Sequence, residues 1–283
     1  MSGSPTEAAD IIDREILLTR AMARRPILAR AFVVSLLVCT AALAAAGQAI
    51  RARPGLEDFT WRHALRFGEK VNALVLDGQV WRLASSVWLH ADPVHLMINA
   101  WAIWLLGPLA ERLYGPRRWV AIVGLGGLAG AACSVGLTAA PSVGASGAGF
   151  ALVGALAVFA VRWRDHLPRR FARVLGVQVA LYACAGVVLA LTSDAIDHAA
   201  HLGGFVAGAG VAAAMGAPSV DRRSVERSLT ARVVAVVVAG AMLAGVASMA
   251  REAVRCGGSV DAYNGCYGPA DAPPSLESGE AMD

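Results

Sequence analysis

The sequence has 283 residues, of which 57% are hydrophobic and 16% are charged, and its mean hydropathy is +0.55. A soluble domain needs far fewer apolar residues, so the composition excludes a purely soluble protein and indicates an integral membrane protein. The net charge of +4 is explained by arginines that flank the apolar segments, and we therefore expect no nucleic-acid partner.

Seven segments are predicted to be membrane helices, because a helix needs about 20 largely apolar residues to cross a hydrocarbon core ~30 Å thick. They are roughly residues 31–50, 93–110, 119–137, 146–161, 174–193, 199–216 and 233–250. Backbone amides cannot stay unpaired in lipid, and the sequence lacks the short alternating segments of a membrane barrel. The sequence therefore predicts an all-α polytopic membrane protein.

The distribution of arginines predicts the orientation of the helices in the membrane. If the N-terminus is cytoplasmic, the arginine-rich loops all lie inside, at 14–30, 112–118, 162–173 and 222–232. The short outside loops, 138–145 and 194–198, contain no Arg or Lys. The long loop 51–92 is an exception, because it is basic and lies outside, but long loops follow the charge rule weakly. Its tryptophans predict an interfacial element at the level of the lipid headgroups.

These segments predict four parts of the chain. They are a cytoplasmic N-terminal segment at 1–29, a six-helix core at 30–216 with the long outer loop 51–92, a linker and seventh helix at 217–250, and an extracytoplasmic tail at 251–283. The Pro, Ser and acidic residues near the end of the tail are typical of a flexible segment.

The five cysteines fall into two groups by predicted depth. Cys39, Cys133 and Cys184 lie within predicted helices, where we expect them to be packing residues. Cys256 and Cys266 lie in the tail on the predicted outer side, where a disulfide can persist. We predict this bond, and we expect its loss to affect only the local order of the tail.

Few strongly polar side chains lie within the predicted helices, and each of them needs a reason. His95 and Asn99 are four residues apart, which puts both on one face of the second helix. Ser146 opens the fourth helix, and His201 lies near the outer end of the sixth. The predicted orientation brings all four residues to the outer half of the bilayer.

This set of residues contains each part that a serine nucleophile needs. Ser146 would attack a carbonyl, and His201 would act first as general base and then as general acid. The side chains of His95 and Asn99, with backbone N–H groups near Ser146, would stabilise the oxyanion. Glycines support this interpretation, because backbones can approach closely where there is no Cβ atom. They are Gly144 and Gly147 beside the serine, and Gly204 and Gly208 after the histidine.

Each of these residues alone also has an ordinary structural explanation. A serine in a membrane helix often bonds the carbonyl four residues earlier, and the His95–Asn99 pair could join two helices. A histidine in a membrane can move protons or bind a metal. His198 is a rival for the role of base, whereas His63 and His166 are expected to be solvated loop residues.

Taken together, the motifs resemble those of the rhomboid family of intramembrane serine proteases, over roughly residues 30–216. The pair Trp81–Arg82 in the outer loop is followed by His-x-x-x-Asn, then by GASGAGF around Ser146, then by AHLGGFVAG around His201. The resemblance implies a rhomboid-like six-helix bundle, here with a seventh transmembrane helix at its C-terminal end.

The resemblance also implies the chemistry. Ser146 and His201 would form a dyad without an acidic third member, so neither Asp194 nor Asp197 is expected to join it. No metal or organic cofactor is expected. Family members often have tyrosine four residues after the serine, and we expect Phe150 at this position to stack on the base without contributing a hydroxyl.

The implied partners are the lipid bilayer and transmembrane protein substrates, cleaved within or next to their membrane segments. Abundant arginine and alanine suggest a bacterial protein and hence the inner (plasma) membrane. A rhomboid-like non-catalytic protein that binds membrane clients is the alternative, although such proteins usually lack the serine or the histidine. A transporter is a further alternative, but the predicted helices contain no carboxylate, and the two halves of the chain show no repeat.

Overall fold

The computed structural model describes residues 15–53, 56–164, 167–192, 196–219 and 228–268. After a helical segment at 15–22, the chain forms α1 (Ile27–Arg51), α2 (Trp61–Leu65), α3 (Asn72–Leu76), α4 (Arg82–Ser85), α5 (Pro93–Tyr114), α6 (Pro116–Leu137), α7 (Ser146–Arg162), α8 (Arg169–Thr192), α9 (His198–Met215), α10 (Ser228–Cys256) and α11 (Val260–Tyr267). A 3₁₀ turn, Ser86–Trp88, follows α4.

This architecture confirms the predicted all-α fold, since the described residues include a helix at each of the seven predicted spans. Five described stretches are long and apolar enough to cross a membrane, namely Glu15–Arg51, α5, α6, α8 and α10. Two of the seven helices at the predicted spans fall short of that measure. α7 has only 17 residues, and α9, with 18 residues, carries two histidines.

The two short helices lie at the centre of the bundle. α9 packs most extensively against α7 and α6, and α6 and α7 also contact each other. The other long helices surround this central group, with α1 against α5, α8 against α7, and α10 against both α6 and α4. A helix that is surrounded by protein can carry polar residues and glycines that lipid would not favour.

Local signals explain where several of these helices begin and end. The Asp92 side chain caps α5 by accepting the N–H of His95 at 2.9 Å, and Pro93 occupies the first turn, where no N–H partner is needed. Gly115 ends α5 with a φ of +79°, a conformation that favours glycine. From near the end of α5, the buried Glu111 accepts the N–H of Ala29 at 2.8 Å and so caps α1.

The described part of the outer loop 51–92 is a packed layer that includes α2, α3 and α4. Phe67, Lys70 and Arg82 are fully buried in it. The tryptophans of this loop predicted an interfacial element, and within it Lys70 and Arg82 bond to protein groups. Buried charges need such partners, and these contacts give the loop a fixed shape.

The first part of the predicted tail is folded. α10 continues to Cys256, and α11 follows it, with Tyr263 fully buried. Cys256 and Cys266 form the predicted disulfide, with their Cα atoms 6.0 Å apart. Residues 251–268 are therefore a folded extension of the seventh long helix. Residues 269–283, like 1–14 at the other end, lie outside the described part.

The disulfide predicts how many thiols will react in the intact protein. Unfolded without reductant, the chain should react with a maleimide at the three free cysteines only, which are Cys39, Cys133 and Cys184. After reduction, all five cysteines should react. Intact mass spectrometry counts the adducts in both samples, and five adducts before reduction would contradict the bond.

Candidate active site

Ser146 is the first residue of α7 and follows a loop that is fixed by backbone geometry. Gly144 has a φ of +127°, and its N–H donates to the carbonyl of Ser86 across 2.9 Å. The start of α7 is thereby tied to the outer loop. Because the first N–H groups of a helix lack partners within the helix, they favour negative charge close to this serine.

A cavity of about 220 Å³ lies between α5, α7, α8 and α9, at the end of the bundle where α7 and α9 begin. Ser146, His201, His95 and Asn99 all line it. The other lining side chains are small, apolar or aromatic. The structure therefore brings together the four polar residues that the sequence singled out, in surroundings with few competing polar groups.

The His201 ring is held by an aromatic contact. Phe150 stacks on it, with ring centroids 4.3 Å apart and an angle of 20° between the planes. Phe150 also packs against Gly186 of α8, where an added Cβ atom would lie 2.5 Å from the phenyl ring. The stacking expected from the sequence is therefore present, and it fixes the plane of the imidazole without a hydroxyl group.

Glycines set the distance between the helices that carry Ser146 and His201. A Cβ atom added to Gly204 would lie 2.1 Å from the carbonyl oxygen of Gly147, and one added to Gly208 would lie 2.2 Å from that of Ala151. Real Cβ atoms do not approach backbone so closely. α7 and α9 can therefore pack backbone to backbone only because these positions are glycine.

His95 and Asn99 face Gly144, which lies in the loop just before Ser146 (the serine loop). A Cβ atom on Gly144 would lie 2.7 Å from His95 Cε1 and 3.4 Å from Asn99 Nδ2. Asn99 is 6% exposed, and within the described residues its Nδ2 has no hydrogen-bond partner. An amide buried without a partner is costly, and here it leaves a donor free at the cavity wall.

The rival base lies close to His201 but does not line the cavity. The centroids of the His198 and His201 rings are 6.2 Å apart, and the residues lining the cavity include only the second of these. His63 lies in the outer loop, where its Nδ1 accepts the N–H of Thr60 at 2.9 Å. His166 and Asp194 lie outside the described residues.

Asp197 is the N-terminal cap of α9. Its carboxylate accepts the N–H of Ala200 at 3.0 Å and the hydroxyl of Ser134 on α6. Burial alone would raise the pKa of this carboxyl, but hydrogen bonds, led by those from Ser134 and Ser142, hold the pKa below its ordinary value. An ionised cap of this kind fixes the start of the helix that carries His201.

Lys70 helps to hold the loop before Ser146, although the sequence did not single it out. Its ammonium donates to Asn72 Oδ1 at 2.9 Å and to the carbonyl of Ala140 at 2.8 Å. Its backbone pairs with that of Ser142 through two hydrogen bonds of 3.0 Å. Burial lowers the pKa of this lysine. Lys70 therefore anchors the loop that leads to Ser146, although its position in a basic loop suggested exposure.

His90 was also missed. It is fully buried in the loop before α5, with its ring centroid 5.2 Å from that of His95 and the two rings edge to face. Burial, followed by the proximity of His95, lowers the pKa of His90 to about 3, so the ring is neutral at physiological pH. It is not on the helical face of His95 and Asn99, so helical spacing gave no signal for it.

Trp81 and Arg82 lie in the loop layer, away from the cavity lining. The Arg82 guanidinium lies 4.7 Å from the centroid of the Trp81 ring and donates to the carbonyl of Arg66 at 2.8 Å. Both residues therefore support the shape of the loop. Any effect of theirs on the cavity must pass through the loop backbone.

One group of possible metal ligands occurs in the described part of the chain, far from Ser146 in sequence. Glu252, Cys256 and Cys266 bring a carboxylate and two sulfurs within 4.8 Å of one another. Both sulfurs belong to the disulfide, so neither is available as the thiolate that a metal would bind. The expectation that the protein needs no metal or cofactor stays a prediction.

The fold and the cavity define an integral multi-pass membrane protein with a serine and histidines in a largely apolar site. Comparison of the sequence with protein families finds a match to the rhomboid domain over residues 77–218, which is half of the chain. The chain belongs to the rhomboid family. The matched range contains all four polar residues of the cavity.

Curated relatives carry the same family name. The chain is 35% identical over 152 residues to Rhomboid protease GluP of Bacillus subtilis (strain 168). The matched region covers 54% of this chain and 29% of that protein. It is 36% identical over 148 residues to RHOMBOID-like protein 7 of Arabidopsis thaliana, covering 50% and 46%. Rhomboid-like protease 2 of Toxoplasma gondii is 31% identical over 145 residues, covering 50% of each chain. The chain thus spans half or less of the length of these relatives.

The contact between α7 and α9 predicts a steric test of the site. Gly204→Ala should place a methyl group against the Gly147 carbonyl and force the two helices apart. Overpacking of this kind typically costs ~1–3 kcal/mol, so the thermal unfolding midpoint should fall, and any activity of the cavity should fall with it.

Gly210→Ala is the matched control on the same helix, because no atom lies within 4 Å of the added Cβ. Alanine favours helix over glycine by up to ~1 kcal/mol, so this variant should be as stable as the parent or slightly more stable. Equal midpoints for the Gly204→Ala variant and the parent would contradict the close helix contact.

Proposed function

We propose that the protein is an intramembrane serine endopeptidase that uses Ser146 as nucleophile and His201 as base. The observation that carries this proposal is the single cavity lined by Ser146, His201, His95 and Asn99. The relatives named as rhomboid proteases support the same reaction class. The activity is proposed for this chain on both grounds together.

In the first step, Ser146 Oγ attacks the carbonyl carbon of the scissile peptide bond while His201 accepts the hydroxyl proton. The protonated imidazole then gives this proton to the amine that leaves, so an acyl-enzyme remains. Stacking on Phe150 would keep the ring in one plane through both transfers. Water then attacks the ester, with His201 again taking and returning a proton, and the acid product and the free serine result.

The negative charge of each tetrahedral intermediate needs donors. The unpartnered Nδ2 of Asn99, the His95 ring beside Gly144 and the backbone N–H of Ser146 are the groups we propose for this role. Such donors stabilise the transition state most where few water molecules compete with them, as in a cavity with largely apolar walls.

Membrane segments of other proteins are the substrates that suit this cavity. Its wall includes Ile98 and Trp101, which are also 53% and 60% exposed on the outer face of α5. In a membrane that face contacts lipid, so an extended segment could reach the cavity from the bilayer. Peptide bonds in a regular helix are protected by their own hydrogen bonds, and a locally unwound or membrane-adjacent segment would therefore be favoured.

A non-catalytic member of the family that only binds membrane clients is the second candidate. It would use the same bundle and the same lipid-facing surface. Its cavity would not need a serine and a histidine together, whereas this chain has both. Cleavage that depends on Ser146 separates the two candidates.

The arginine distribution supports a cytoplasmic N-terminus, and we propose the bacterial inner membrane as the location. Reporter fusions after residues 116 and 168 should then give cytoplasmic signals, because both sites lie within arginine-rich loops, and such loops stay on the cytoplasmic side. Fusions after residues 140 and 268 should report the opposite side. A cytoplasmic signal at 268 would overturn the orientation of α10 and of the segment with the disulfide.

Four substitutions test the proposed roles in one cleavage assay with a model transmembrane substrate in detergent. Ser146→Ala and His201→Ala should both reduce cleavage to background, since removing one member of a dyad costs about as much as removing both. Asn99→Ala and His95→Ala each remove one donor among several. A loss of ~10² to 10³ in rate is typical, so residual cleavage should remain measurable.

Thermal stability recorded beside each rate separates chemistry from misfolding. His198→Ala is the control for the choice of base and should retain activity. If folded Ser146→Ala protein cleaves at a rate comparable to the parent, the serine-protease proposal is wrong. If His201→Ala is active while His198→Ala is not, the reaction stands and the base is His198.

A further inference from the structure

One face of the seventh long helix, α10, packs directly on the outer loop. A Cβ atom on Gly245 would lie 2.6 Å from the Cβ of Ala84 and 3.0 Å from the N of Ser85, both in α4. One turn later, Met249 packs against Gly68, where an added Cβ atom would lie 2.6 Å from the methionine sulfur. Spacings of four, three and four residues put Gly245, Met249, Glu252 and Cys256 on this same face.

Glu252 supplies the charge at this interface. The Arg82 guanidinium is fully buried, and a Glu252 oxygen lies 3.7 Å from one of its terminal nitrogens. Arg82 also donates to Gln79 and to the carbonyls of Arg66 and Glu69 within the outer loop, and it shares a side-chain hydrogen bond with Tyr267 of α11. Glu252 is thus the group that joins this buried cation to a membrane helix.

The segment after α10 holds Glu252 in place. The Tyr267 hydroxyl donates to Glu252 Oε1 at 3.3 Å, and Arg255 makes a two-pronged ion pair with the same carboxylate. The Cys256–Cys266 disulfide keeps Tyr267 next to α10. The contacts of α11 therefore position the Glu252 carboxylate, in addition to joining α11 to the end of α10.

The same segment also covers the outer loop through aromatic packing. Tyr263 is fully buried, and its ring centroid lies 5.8 Å from that of Phe59 and 6.3 Å from that of Phe67. These are edge-to-face contacts, which are favourable beyond the area they bury. The expectation that the disulfide matters only for a tail does not fit this arrangement.

A short path of contacts leads from Arg82 to the candidate active site. Arg82 begins α4, and the 3₁₀ turn that follows gives the carbonyl of Ser86, which accepts the N–H of Gly144 at 2.9 Å. Gly144 faces the His95 ring, where an added Cβ atom would lie 2.7 Å from Cε1, and it lies two residues before Ser146. A shift of α4 would therefore move the serine loop relative to the donors opposite it.

We infer that Glu252 is a positioning residue for the cavity, held by the disulfide-closed segment 256–267 and acting through Arg82 and the α4 backbone on Gly144. Its catalytic consequence rests on the proposed protease function. Glu252 itself contacts neither the cavity nor the dyad. It stabilises the loop that orients the oxyanion donors, so its loss should reduce kcat with little effect on KM.

The test compares the 283-residue chain in detergent with two variants and one control. Glu252→Gln keeps the volume of the side chain and removes its charge. Cys256→Ala/Cys266→Ala releases α11 and leaves Glu252 present. Arg251→Gln is the matched control, since Arg251 is the adjacent residue on α10 and is exposed. Hydrogen–deuterium exchange of peptides covering 79–90, kcat and KM are measured for each protein.

Both variants should raise deuterium uptake in 79–90, and both should reduce kcat by roughly tenfold to a hundredfold while KM stays within about twofold, because small misplacements of reacting groups cost rate rather than binding. A third variant that combines the Glu252→Gln and Cys256→Ala/Cys266→Ala changes should be no worse than the more severe of the two, since both changes act on the contacts that hold Arg82. The Arg251→Gln control should match the parent.

The readouts separate failure of this inference from failure of the proposed function. Unchanged uptake in 79–90 for both variants overturns the inference, whatever the activity. Raised uptake with unchanged kcat also overturns it, because loosening of the loop would then have no effect on catalysis. Absence of any Ser146-dependent cleavage by the parent contradicts the protease proposal instead, and the exchange data still decide whether Glu252 holds the loop.

Discussion

The close approach of α7 and α9 is the constraint on which the rest of the site depends. Gly147 and Ala151 on one helix meet Gly204 and Gly208 on the other at distances that exclude any further side-chain atom. This contact fixes the separation of the helices that begin with Ser146 and carry His201. The surrounding helices can differ in length and burial, but a change in this spacing would separate the proposed nucleophile from its base.

The second constraint is the packed outer loop, which fixes the other side of the cavity. Ser86 binds the backbone of Gly144, and Lys70 binds the backbone of Ser142, so two points of the loop hold the chain that leads to Ser146. Buried charges are costly unless they are fully paired. The contacts that pair these charges also fix the shape of the loop. α10 and the segment after it complete this layer through the ion pair between Glu252 and Arg82.

Much of the helical bundle could be predicted from the sequence, because apolar segments bounded by arginines carry a strong local signal. Ser146, His95, Asn99 and His201 also stood out, since polar residues are rare in such segments, and they line one cavity. Lys70, His90 and Glu252 did not stand out. Their importance comes from burial by residues distant in sequence, and neither composition nor periodicity reports such contacts. For the same reason α11 was not predicted from the sequence.

The central claim is that His201 activates Ser146, and covalent labelling tests it without any choice of protein substrate. A fluorophosphonate reacts with a serine whose proton has a nearby acceptor. Intact and peptide mass spectrometry of the detergent-solubilised protein should find one adduct, on Ser146, and labelling should fall to background in the folded His201→Ala variant. Labelling of another residue, or labelling of Ser146 at an equal rate in the His201→Ala variant, would contradict the claim.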